Sequence, residues 1–170
     1  MCACVILIVR CSIEVQAYSA NSDNIPRYGF VKLNAVPVWQ SSWHGTPLPN
    51  LRGVNVLLVD PLNCSVQQES RRFDTYHDAT AATELANYLQ QVYHGDIIVG
   101  VSADEPRRLL GNALPTLREI GADVEDVQPW GSFAFVAQKG FPAKTVFRKV
   151  LTETESNANP AQFNTNITGA

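Results

Sequence analysis

The run Val54-Asn55-Val56-Leu57-Leu58-Val59 is the segment that most restricts how this chain can fold. It is almost unbroken in apolar residues and has no polar side to give to water, so it reads as a strand buried on both faces. Asp60-Pro61-Leu62-Asn63 ends it. Pro61 presets φ for a β-turn, while Asp60 and Asn63 offer side-chain oxygens to the nearby backbone. The chain is then expected to return through Ser65–Phe73 as the partner strand. Asp74–Asp78 turns it into a helix.

Periodicity supplies the other elements. Val5–Tyr18 reads as a strand, with Cys11, Ile13, Val15 and Ala17 alternating against Ser12, Glu14 and Gln16. Gly29–Val38 reads as a second strand, and Trp39–Pro49 as a loop. A helix over about Ala79–Tyr93 carries Ala82, Leu85, Leu89 and Val92 on one stripe, with Asp78 as N-cap and Gly95 as terminator. Asp96–Val101 is a further buried strand. Asp104 and Glu105 suit the start of a second helical stretch. Pro115 would break its interior, so a restart near Asn112 places Pro115 in a first turn, where its missing N–H costs nothing. Val124–Val127 reads as a short strand and Ser132–Ala137 as a clear one. The order β-β-loop-β-β-α-β-α-β-β predicts an α+β fold, a mixed sheet with two helices packed on it. One domain is expected over residues 1–150, with 151–170 a polar, flexible tail.

Composition narrows the function. The net charge of −3 leaves no basic stripe for nucleic acid, and no stretch approaches the ~20 apolar residues of a membrane span. Val5–Val9 is too short an apolar stretch for a signal peptide. The cysteines Cys2, Cys4, Cys11 and Cys64 lack the paired spacing of a zinc site. They permit disulfides, Cys11–Cys64 among the possible pairings. The sequons Asn63-Cys64-Ser65 and Asn166-Ile167-Thr168 point to a secretory compartment.

Candidate chemistry is sparse. His44, His77 and His94 form no metal-ligand spacing and accompany no nucleophile motif. No glycine pattern suits a nucleotide or other cofactor. Asp60, Asp74, Asp96, Asp104 and Glu105 fall near strand ends, where a glycosidase-like carboxylate pair is geometrically open, although Asp60 shapes a turn and Asp74 and Asp104 suit caps. Binding is favoured over catalysis: Trp39, Trp43, Tyr76 and Trp130 fall in loops or at strand ends, where flat rings can stack on sugars.

Arg52-Gly53-Val54-Asn55-Val56, then Phe73-Asp74-Thr75-Tyr76, then Trp130 through Ser132-Phe133-Ala134-Phe135-Val136 to Lys139-Gly140, resemble the ILEI/PANDER domain family. The resemblance covers about Gly29–Gly140. It implies a secreted or lumenal domain with a β-sandwich-like core flanked by helices and no catalytic role of its own. The family includes cytokine-like secreted proteins. It also includes accessory domains in a glycosyltransferase stem and in hyaluronan-degrading surface proteins. In the stem setting the domain is similar to a lectin, and Asp74 then corresponds to a sugar-binding carboxylate. Its basic partner falls near Ala103, a departure that Arg107 could offset from the following turn. A glycan or glycoprotein ligand held by Asp74, Tyr76, Trp130 and Arg107 is therefore expected. The alternative is a cell-surface receptor engaged through the Trp39–Pro49 loop.

Overall fold

The computed structural model describes residues 10–18, 28–43, 46–47, 51–158 and 160–168. Val5–Val9, Cys2, Cys4 and His44 lie outside them. Its elements in order are β1 (Arg10–Ala17), β2 (Phe30–Leu33), β3 (Val36–Gln40), β4 (Ser42–Trp43), β5 (Thr46–Pro47), β6 (Gly53–Asp60), β7 (Ser65–Val66) and β8 (Arg71–Phe73). Then come α1 (Ala81–Gln91), β9 (Ile97–Ala103), a 3-10 turn (Gly111–Ala113), α2 (Leu114–Glu119), β10 (Ser132–Gln138), β11 (Phe141–Val150), α3 (Glu153–Ala158) and β12 (Ala161–Thr168).

Two sheets and a helical layer are stacked. The larger sheet runs β11-β10-β9-β6, with β7 and β8 pairing separate stretches of β6's outer edge; the smaller runs β12-β1-β2-β3. Ile13, Val15 and Val31 of the smaller sheet pack against Leu57, Val59, Val99 and Val136 of the larger. On the larger sheet's other face, Val54, Val56, Ile98 and Phe135 meet Leu85 and Leu89 of α1 and Leu117 of α2. This three-layer arrangement explains the apolar run Val54–Val59: alternate residues of β6 serve two different cores. The structure is an α+β fold with a sandwich-like core.

Several expectations need correction. The sheets are not mixed in direction, since every pairing among the described strands is antiparallel. A strand–helix–strand unit does exist in β8-α1-β9, but β6 lies between its two strands and pairs antiparallel with each. Gly29–Val38 is not one strand but the hairpin β2–β3, turned at Asn34 and Ala35, whose φ values of 49° and 67° are left-handed. Val124–Val127 is turn rather than strand, though Val124 and Val127 are buried. Residues 151–170 are not simply a tail: α3 occupies part of them, and β12 pairs with β1 along its whole length, from Arg10↔Thr168 to Ala17↔Ala161. The polar appearance of β12 arises because Gln162, Asn164 and Asn166 face water while Ala161 and Ile167 are buried.

Pro115 does fall in the first turn of α2, behind the 3-10 turn. Gly121 follows with φ +91°. A disulfide joins Cys11 of β1 to Cys64 in the β6–β7 turn and so ties the two sheets together. Among the described residues no helix is long and apolar enough to cross a membrane.

Candidate functional site

The two motif halves Arg52-Gly53 and Phe73-Asp74-Thr75-Tyr76 form one contact. Gly53 sits at φ +99°, and a Cβ there would stand 2.1 Å from the Phe73 carbonyl oxygen and 2.8 Å from the Thr75 nitrogen. Only glycine permits that approach. It brings Arg52 alongside Asp74, where Nε donates to Oδ1 at 3.0 Å and Nη2 to Oδ2 at 2.9 Å. This is the two-pronged pairing that suits a guanidinium and a carboxylate. Arg72 adds a second cation 3.5 Å from Oδ2.

Asp74 also shapes the local turn, accepting the His77 N–H at 3.2 Å. Burial pushes its carboxyl upward, but the bonds from Arg52 and His77 and the charges of Arg52 and Arg72 outweigh this, and its pKa lies below the ordinary value. Asp78 in turn accepts the N–H and hydroxyl of Thr80, just before α1.

Thr75 then fastens this turn to a second one. Its hydroxyl donates to the Pro106 carbonyl at 2.7 Å, and its own carbonyl accepts the Leu109 N–H at 2.7 Å. The second turn is organised by Glu105, which is only 2% exposed. One carboxylate oxygen accepts the N–H groups of Arg107 at 2.6 Å and Arg108 at 3.2 Å; the other accepts the N–H of Trp130. Trp130 holds a left-handed φ of +63° in the turn before β10. A non-glycine residue is held in that conformation only by its surroundings, and the bond to Glu105 is one such restraint.

The result is a cluster drawn from three parts of the chain. The rings of Tyr76 and Trp130 lie 6.0 Å apart at 44°, both partly exposed. The guanidiniums of Arg52 and Arg108 lie 4.7 Å and 4.9 Å from the centre of the Tyr76 ring.

Of the residues expected at the site, Asp74, Tyr76 and Trp130 come together. Arg107 is placed differently: its guanidinium donates to the Val127 carbonyl at 2.8 Å and the Glu125 carbonyl at 3.4 Å, bracing the segment before Trp130. Ala103 is fully buried opposite Gly53, and the cations beside Asp74 are Arg52 and Arg72. Sequence reasoning missed Arg52, Arg108 and Glu105 as site residues. For Arg52 the signal was present in the motif. Glu105 read as a helix-opening acid, but no helix starts there.

Other expectations resolve more simply. Trp39 is 7% exposed and packs between the sheets, so it is no surface anchor; the side chain of Trp43 lies outside the described residues. His77 and His94 are exposed. Among the described residues no group of His, Cys, Asp or Glu is arranged to hold a metal ion.

Residues 52–141, just over half of the chain, match the family described as ILEI, interleukin-like EMT inducer. No curated protein matches the chain. The matched stretch contains β6 through β10 and every residue of the cluster around Tyr76. The chain therefore belongs to the interleukin-like EMT inducer family.

Proposed function

We propose that this chain is a non-catalytic, secreted or lumenal domain that binds a glycan across Tyr76 and Trp130. The observation carrying this reading is the meeting of those two partly exposed rings beside Asp74, Arg52 and Arg108. Aromatic faces take the apolar side of a sugar ring, while a charged pair offers hydroxyls both an acceptor and donors. The Glu105 and Thr75 bonds hold the platform in place before any ligand arrives, which lowers the entropic cost of binding.

The carboxylates support binding rather than proton transfer. Asp74 is held ionised by two arginines, a poor state for a general acid. Glu105 is buried and spends both oxygens on backbone N–H groups. The Cys11–Cys64 disulfide favours an oxidising compartment.

A second reading shares the same surface. Tyr, Trp and Arg are the residue types that dominate protein–protein hot spots, so the cluster would also suit a receptor contact. The loop version of that reading loses Trp39, which is buried. Glycan-array binding by the full chain, with Tyr76→Ala and Trp130→Ala beside it, separates the two. Specific glycan signals that both variants abolish support the first reading. Binding to cells that survives enzymatic deglycosylation, with a silent array, supports the second.

A further inference from the structure

We propose that the sugar bound here carries a carboxylate, as in a uronate or a sialate, and that Arg108 receives it. The inference rests on the glycan reading above and names the class of sugar.

Consider how each charge at the site is used. Asp74 is shared by Arg52 and Arg72. The oxygens of Glu105 are occupied by backbone N–H groups. Asp104, just before it, lies close enough to act electrostatically on Arg52. Arg107 bonds two backbone carbonyls, which turns its guanidinium toward the segment before Trp130 without cancelling its charge. Arg108 differs from the other three arginines. Among the described residues it has no carboxylate partner, its side chain is exposed, and its guanidinium rests 4.9 Å from the centre of the Tyr76 ring. A guanidinium held against an aromatic ring keeps its in-plane N–H groups pointing outward, a fork that matches a carboxylate.

The fork is also held in position. The N–H of Arg108 bonds Glu105 at 3.2 Å, and the same carboxylate holds Trp130. Thr75, next to Tyr76, is bonded to the Arg108-bearing turn on either side, at Pro106 and Leu109. Tyr76, Arg108 and Trp130 thus form one assembly: two neighbouring rings, with the Arg108 guanidinium over the Tyr76 ring.

The wider protein sharpens the choice. With a net charge of −3 it repels polyanions in general. A local group of arginines in that setting favours a short acidic determinant over a long anionic polymer.

The test is isothermal titration of the full chain with one acidic oligosaccharide and its methyl ester, which keeps the ring but removes the charge. A glucuronate-terminated and a sialate-terminated pair are each used, with a sulfated neutral oligosaccharide as a control. The acid is expected to bind about tenfold or more tighter than its ester, as a charge-assisted bond contributes on that scale. Arg108→Gln, with an unchanged melting temperature, is expected to erase that difference, so that acid and ester bind with the same affinity. Raising the salt concentration weakens the acid and spares the ester. Equal binding of acid and ester, or a preference that survives Arg108→Gln, overturns the proposal while leaving glycan binding intact. Sulfate-dependent binding without a carboxylate preference also overturns it. If no sugar binds in any form, the underlying glycan reading falls as well.

Discussion

The carboxylate of Glu105 accepts the backbone N–H of Trp130, a residue 25 positions further along the chain. Its other oxygen collects two N–H groups of its own turn. A single buried side chain therefore fixes both the arginine turn and the tryptophan turn. The consequence can be measured. Glu105→Ala strands three donors and is expected to cost about 3 kcal/mol in urea unfolding. Glu105→Gln keeps one acceptor oxygen but turns an amide N–H₂ toward a donor. It should cost less, while still flattening the near-UV dichroism of Trp130, identified against Trp130→Phe.

The Cys11–Cys64 disulfide closes a sequence separation of 53 residues. In the chain-entropy account a loop of that size contributes about 4 kcal/mol. Replacing both cysteines with alanine is therefore expected to lower the melting temperature by roughly 8–16 °C for a chain of this length. Calorimetry of the variant, with wild type under reducing conditions alongside, checks it. A drop of a degree or two would show that packing alone joins the sheets.

Asp74 gives the protein an acid-sensitive contact. Its folded pKa is depressed, so its stabilising contribution is present above the unfolded value of about 3.9 and disappears as pH falls through the lower folded value. Asp74→Asn should thus be less stable than wild type by about 1 kcal/mol at neutral pH, a figure already reduced for the partial exposure of Arg52. The gap should close as pH falls below about 4. Urea titrations of both proteins across that range test the sign.

Gly100 is set by packing rather than by turn chemistry. A Cβ added to it would meet the Phe135 ring of the neighbouring strand at 2.2 Å. Gly100→Ala should cost about 2–3 kcal/mol through overpacking. Adding Phe135→Leu makes room for the methyl group, so the double variant should be at least about 1 kcal/mol more stable than the two single effects predict when summed.

What the sequence made legible follows from how each residue meets water. β9 and β10 are buried throughout and β6 as far as Val59, and their apolar runs announce them. β11 is an edge strand whose Pro142, Ala143, Lys144 and Arg148 are exposed, so no apolar run or clean alternation marks it. The β2–β3 turn uses Asn34-Ala35 where Asn-Gly would have signalled a hairpin. At the site, Asp74, Tyr76 and Trp130 were readable from motifs. The cation–π contacts of Arg52 and Arg108 with Tyr76 depend on two turns being pinned together by Thr75, a long-range relation that local patterning does not carry.

The pairing of β1 with β12 has a consequence for the order of folding. The strand that begins at Arg10 is completed on one side by a strand ending at Thr168, with nearly all of the described chain between them. A chain leaving the ribosome presents β1 long before β12, which follows the last strand of the larger sheet by only ten residues. Until then, Cys11, Ile13 and Val15 share their sheet only with the hairpin that follows. Contacts so distant in sequence form late and slowly. The smaller sheet is thus the natural final step of folding, and the interval before it closes is when a chaperone would find a bare strand edge to hold.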